Sequence, residues 1–217
     1  MIQTVIFDMD GVIIDSESVY FTIDKQMFEE LNIAVSFEEQ CSYVGTSSQN
    51  MWNAIIRKHG ITYELDVLMR KEYNLYMEYL VNANDLQPIE GVRELINGLH
   101  EHNFKLVLAS SSGMEVIDIV LKKFKLSDLF MAKVSGSELA HSKPHPEIFH
   151  KAAELIRSEP KECVVIEDSK NGVTAAKAAG MKCVGFLNPG SGDQNLGDAD
   201  IVIRSFRELT PGIVKNL

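Results

Sequence analysis

Five short apolar runs constrain this chain most: TVIF at 4–7, FKLVLA at 104–109, CVVI at 163–166, KCVGF at 182–186 and DIVI at 200–203. They are rich in β-formers and do not alternate apolar with polar residues. Such runs need burial on both faces, as strands of a parallel sheet have. Helical spacing fills the stretches between them. Val92, Leu95, Ile96 and Leu99 share one face of GVRELINGLHEHN, and MEVIDIVLKKF and PEIFHKAAELIR behave alike. Strands alternating with helices predict an α/β fold, a doubly wound parallel-sheet (Rossmann-like) core.

The stretch from 16 to 82 breaks the alternation. VYFTIDKQMFEELN, QNMWNAIIRKHG and YELDVLMRKEYNLYMEYLV read as three or four helices with no convincing strand. An α-helical block inserted after the first strand accounts for them. The expected core is then 1–15 with 83–217, and the insert is 16–82, returning through the polar stretch NANDLQP. A hydrophobic content of 45% allows a substantial core. Lys plus Arg number 21 against 31 Asp plus Glu, a net charge of -10. That balance argues against a nucleic-acid partner, which is held by basic surface neutralising phosphates.

The three cysteines form no C-x-x-C pair, and Cys163 and Cys183 lie in apolar runs as core residues of a reducing compartment would. No basic leader precedes the first strand, and no apolar run nears the ~20 residues of a membrane span. The expectation is a cytoplasmic protein, monomeric, with no membrane partner.

In open parallel sheets ligands bind beyond the carboxyl ends of the strands. Asp8 and Asp10 follow TVIF, Ser110, Ser111 and Ser112 follow FKLVLA, and Glu167 and Asp168 end ECVVI. Lys143 precedes PHPEIF. Each has a bland reading. Asp10-Gly11 is a turn signal, but a turn leaves Asp8 unexplained. An EF-hand loop needs Gly and Glu where Ile13 and Val19 stand, so calcium is set aside. Ser112 and Glu115 form S-x-x-E, which predicts a capping box for the next helix and a structural role for Ser112. Ser110 has no such task and suits an oxyanion near a helix N-terminus. Lys143 could be a solvated lysine, and Glu167-Asp168 could simply feed negative charge to a helix start.

Taken together, Asp8-x-Asp10-Gly11, Ser110, Lys143 and Glu167-Asp168 resemble in order and spacing the four motifs of the haloacid dehalogenase superfamily. SKPHPEIF and IEDSKNGVTAAKAAGM extend the likeness around the last two motifs, and it covers essentially the whole chain. The insert 16–82 corresponds to the cap domain, which in such proteins covers the site and selects the substrate. The resemblance implies a Mg2+ ion held by the Asp8 carboxylate, the Asp10 carbonyl and Asp168, with Glu167 as a further ligand. It implies Asp8 as nucleophile, Asp10 as general acid and base, and Ser110, Ser111 and Lys143 as phosphate-binding groups. Asp10 argues against the dehalogenase branch, because carbon–halogen displacement has no alkoxide to protonate.

Within the superfamily the chain is similar to the beta-phosphoglucomutase-like subgroup, which holds mutases and phosphatases. Mutases would place a His where Tyr20 stands and an Arg after the G-x-S turn, where GTSS offers Ser48; Lys71 matches a cap lysine. Two departures of three favour a magnesium-dependent phosphatase of a small phosphorylated metabolite, a sugar phosphate, acting through an aspartyl-phosphate. The alternative is a sugar-phosphate mutase. A phosphonate hydrolase using Lys25, Lys58 or Lys71 as a Schiff base ranks lower. So does a non-catalytic binding protein, which would be expected to lack Asp8, Asp10, Lys143 or Asp168. Glu17 and Lys71 are candidate cap-side substrate contacts, against a reading as helix-surface charge, and Tyr20 and Trp52 read as cap packing.

Overall fold

The apolar runs become strands because each is buried along its length once laid beside its neighbours. In the computed structural model, residues 1–43, 47–192 and 194–217 are described. The chain divides into two units, Met1–Asp15 with Gln87–Leu217, and Ser16–Leu86. The return to the first unit lies at 86/87 rather than at the 82/83 read from composition.

The first unit holds β1 (Thr4–Phe7), β2 (Lys105–Ser110), β3 (Ala132–Ser135), β4 (Cys163–Glu167), β5 (Lys182–Phe186) and β6 (Ile201–Ile203). They form one sheet in the order β3-β2-β1-β4-β5-β6, and every pairing is parallel. Every residue of β1 and β4 is buried. At roughly 1.5–3 kcal/mol for each fully buried Val, Ile or Phe, these two strands anchor the unit.

Strand β3 is the one the sequence reading missed. AKVS is an edge strand, half-exposed at Ala132 and Lys133, so its apolar signal is weak. Tertiary pairing with Val107–Ser110 makes it a strand.

Because β1 pairs with both β2 and β4, the strand order reverses there, and the crevice of a doubly wound sheet opens at the carboxyl end of β1.

The second unit is helical, as expected: α1 (Ser16–Glu30), α2 (Phe37–Cys41), α3 (Ser48–His59) and α4 (Leu65–Asn82). Ser47 caps α3 by accepting the Asn50 N–H, and Gly60 ends it in the left-handed conformation at φ +64°. Trp52 is fully buried, edge-on to Phe28 at 5.7 Å, and Tyr20 stacks on Tyr76 at 4.4 Å. Both Tyr20 and Trp52 thus pack within this unit. Among the described residues no helix is long and apolar enough to cross a membrane.

The core of the second unit is not wholly apolar. Glu72 of α4 is buried and accepts the Trp52 indole N–H at 2.9 Å. Asp24 of α1 is buried against Glu72, and burial first, then the Glu72 charge, push its carboxyl up to about 9. The folded unit therefore keeps a proton that an unfolded aspartate gives up near 3.8. Stability from this group is fully present below about pH 4 and declines as pH rises toward 9. Asparagine cannot ionise and keeps a donor for Glu72. Asp24→Asn should raise the thermal midpoint at pH 9 more than at pH 5, at roughly 2–4 °C per kcal/mol for a chain of this size. Equal shifts at both pH values in thermal melts would show that Asp24 does not hold this proton.

Candidate active site

Asp8 is the first residue beyond β1, and its N–H continues the ladder to Ile166 O at 3.0 Å. The carboxylate is buried, so it leaves the strand facing the crevice rather than solvent. The chain then turns sharply. Ile13 and Ile14 donate to Met9 O at 2.7 and 3.1 Å, and Gly11 donates to Ile14 O at 2.8 Å. Gly11 has φ +75°, and a Cβ there would lie 1.9 Å from Asp168 Oδ2. Glycine is required both by the backbone and by the carboxylate beside it. Asn188 holds the turn by donating to Gly11 O at 3.1 Å.

The end of β2 supplies hydroxyls. Ser110 is fully buried; it accepts the Ser112 N–H at 3.0 Å and donates to Asp10 Oδ2 at 3.1 Å. Ser112 donates to the same oxygen at 2.8 Å. This corrects the capping-box reading of Ser112. Helix α6 (Met114–Lys123), the next after α5 (Val92–Glu101), starts after Gly113 with no side-chain cap bond, and the Ser112 hydroxyl faces Asp10 instead. Ser111, between them, is exposed. The second Asp10 oxygen, Oδ1, is buried without a partner among the described residues.

Glu167 closes β4 and is almost fully buried. Its Oε2 accepts the N–H groups of Asp168 and Ser169, both at 3.1 Å, and the Ser169 hydroxyl at 3.0 Å. Ser169 also caps α8 (Lys170–Ala178) by accepting the Gly172 N–H. The Glu167 carboxylate fills the place of a side chain at Gly172, where a Cβ would fall 1.8 Å from Cδ. Lys143, just ahead of α7 (Glu147–Leu155), bridges Glu167 Oε1 at 2.5 Å and Asp8 Oδ1 at 2.6 Å. Its ammonium lies 5.2 Å from the centre of the Phe149 ring. Lys143 is therefore not a solvated lysine.

Asp168 is buried and accepts a hydrogen bond from the Ser191 hydroxyl at Oδ2. Ser191 escaped sequence reading. Its signal was NPGS, a turn after β5, the strand beside β4.

Asp8, Glu167 and Asp168 each offer an oxygen within 4.8 Å of the other two. This all-oxygen set suits a hard divalent cation. Burial raises the Asp8 carboxyl well above the ordinary range, with Lys143 opposing and Glu167 and Asp168 adding to the rise. Burial, then Glu167, push Asp168 up to about 7. For Lys143, burial works against the charge, but Asp8 and Glu167 outweigh it and hold the ammonium protonated. The pocket gathers more carboxyl groups than one ammonium neutralises. Such a site takes up protons or a cation.

The candidate contacts of the helical unit do not share this organisation. Lys71 forms a surface ion pair with Glu30, both about half exposed, as a helix-surface charge would. Lys58 pairs with Glu39, Lys25 is exposed, and Glu17 is half-buried in α1, close enough to add to the rise at Asp24. In GTSS, Ser47 caps α3 and Ser48 begins it, whereas Gly45 and Thr46 lie outside the described residues.

The family model of haloacid dehalogenase-like hydrolases matches residues 5–186, which takes in Asp8, Asp10, Ser110, Lys143, Glu167 and Asp168. The chain is 33% identical to a beta-phosphoglucomutase of Bacillus subtilis, covering 96% of this chain and 92% of the relative. It is 30% identical to hexitol phosphatase B of Escherichia coli, covering 96% and 95%. A crystal structure of beta-phosphoglucomutase from Clostridium difficile superposes with a TM-score of 0.80 at 26% identity, over 100% of this chain and 96% of that one. Since the family model spans residues 5–186 and a relative is 33% identical over nearly the full chain, the chain belongs to the haloacid dehalogenase-like hydrolases and is an enzyme of that family.

Proposed function

We propose that the protein is a magnesium-dependent phosphatase of small phosphorylated metabolites of the sugar-phosphate class, acting through an aspartyl-phosphate on Asp8. The observation that carries this reading is the pairing at the end of β1. A buried Asp8 is held on Lys143 at 2.6 Å, and Asp10 stands two residues on with one oxygen free of partners. Two carboxyls side by side can divide the work only if their surroundings differ. Here they do: Asp8 is bound to an ammonium, Asp10 to two serine hydroxyls.

Asp8, Asp168 and Glu167, with the Asp10 carbonyl, would hold Mg2+. The donor set is all oxygen, and the buried carboxyls are short of positive charge. Bound there, Mg2+ offsets the carboxylates and polarises the phosphoryl oxygens. Ionised Asp8 attacks phosphorus, forming an acyl-phosphate bond as the ester P–O bond breaks. Asp10 gives its proton to the departing alkoxide, through the oxygen that has no other partner. Asp10 then takes a proton from the water that cleaves the acyl-phosphate, which restores Asp8 and releases inorganic phosphate. Lys143, Ser110 and the exposed Ser111 carry the phosphoryl oxygens through both steps. Glu167 fixes Lys143, since its Oε2 is already engaged by Asp168 and Ser169.

A mutase is the second reading, favoured by the likeness to two beta-phosphoglucomutases. Against it, the position where the mutases would have a His is Tyr20, stacked on Tyr76, and Lys71 is paired with Glu30. Hexitol phosphatase B, similar over nearly the full chain, supports hydrolysis of a phosphorylated polyol or sugar.

With Mg2+, the wild type should release phosphate from p-nitrophenyl phosphate and from a member of a sugar- and polyol-phosphate panel. Asp8→Asn should lose at least about a thousandfold in kcat, and Asp10→Asn roughly 10²–10⁴-fold. Full turnover by Asp8→Asn would remove the nucleophile from the scheme. With glucose 1-phosphate and a bisphosphate activator, phosphate release should outrun formation of glucose 6-phosphate; the reverse order would make the enzyme a mutase. Gly172→Ala displaces Glu167 and with it Lys143, so kcat/KM should fall by about 10²-fold while the protein still melts cooperatively. Unchanged kcat/KM would mean that Glu167 does not position Lys143.

A further inference from the structure

A second cluster of ligating side chains lies outside the carboxylate pocket, on the loop between β3 and α7. His141, His145 and Glu147 each offer one ligand atom within 4.8 Å of the other two. The cluster is built around Glu147, the first residue of α7. Its carboxylate is fixed by the N–H groups of Ala140 at 3.3 Å and His141 at 3.0 Å. Both imidazoles turn toward the same oxygen, Oε2, with Nδ1 of His141 at 2.8 Å and Nδ1 of His145 at 3.9 Å. The two rings lie 4.3 Å apart, tilted by 30°. Nδ1 of His145 accepts the Glu147 N–H at 3.3 Å, a long bond that a metal ion at this nitrogen would replace.

In a tetrahedral site with bonds of ~2.0–2.1 Å, neighbouring ligand atoms stand roughly 3.3 Å apart. The two nitrogen–Oε2 distances of 2.8 and 3.9 Å bracket that separation. Two imidazoles and one carboxylate, with water for the fourth place, suit a borderline transition-metal ion, not magnesium. This donor set, with two nitrogens, differs from the all-oxygen set of the carboxylate pocket. Both histidines are largely exposed, at 62% and 51% of their side chains, so an ion has direct access. From this geometry we propose that His141 and His145, two residues to either side of Lys143, form with Glu147 a second metal site, for Zn2+ or a similar ion.

The test is calorimetric titration of the full chain with Zn2+ in excess Mg2+, which keeps the carboxylate pocket filled. One equivalent should bind, and His141→Ala and His145→Ala should each weaken it by at least about tenfold. Imidazole proton signals of these two residues should shift on titration in the wild type. Because both side chains are exposed, the variants should melt like the wild type without metal. Failure of the wild type to bind a stoichiometric ion, or equal affinity in the double variant, would overturn the site. The readout is binding, so it stands or falls apart from the phosphatase reading.

Discussion

Everything at the carboxyl end of the sheet depends on one ammonium. Lys143 touches Asp8 and Glu167 at 2.6 and 2.5 Å where both carboxylates are buried, and no other cationic side chain among the described residues pairs with them. A buried ion pair adds little net stability, since desolvation offsets the Coulomb gain, yet breaking one costs about 3–5 kcal/mol. Its value here is positional. The lysine ties Asp8, just beyond the first strand, to Glu167 at the end of the fourth, and the two sides of the crevice are joined by a single charge.

The rest of the site holds the carboxylates in place around that charge. Glu167 is fixed by backbone N–H groups at the start of α8 and sits where Gly172 has no side chain. Asp168 is fixed by Ser191 and sits where Gly11 has none. Asp10 is fixed by Ser110 and Ser112 through a single oxygen, and the other has no partner among the described residues. Each acid is thus oriented by donors on one side and by an absent Cβ or an open oxygen on the other. The helical unit meets the same problem differently: Asp24 and Glu72 are buried together without a lysine, and a retained proton takes its place.

The motif residues were legible because they stand at strand ends, and strand ends are marked by continuous apolar runs that both faces of a parallel sheet require. Asp8, Ser110 and Glu167 could be placed that way before any coordinates. Strand β3 could not, since an edge strand with Lys133 on it carries little apolar signal and exists through its pairing with β2. Ser112 was misread because S-x-x-E is a local pattern, whereas the partner that captures its hydroxyl is 102 positions away. Lys71 matched a motif position, yet Glu30 of the neighbouring helix occupies it.

The sequence by itself determined the alternation of strands and helices, the helical insert and the residue types that gather at the crevice. These follow from hydrophobic period and chain order, which are local properties. Only the tertiary structure decided which donors hold which carboxylate: Ser191 on Asp168, Ser112 on Asp10, and Lys143 shared between Asp8 and Glu167. Those pairings join segments far apart in the chain. Hydrogen-bond geometry and burial, rather than spacing, choose among the groups that could make them.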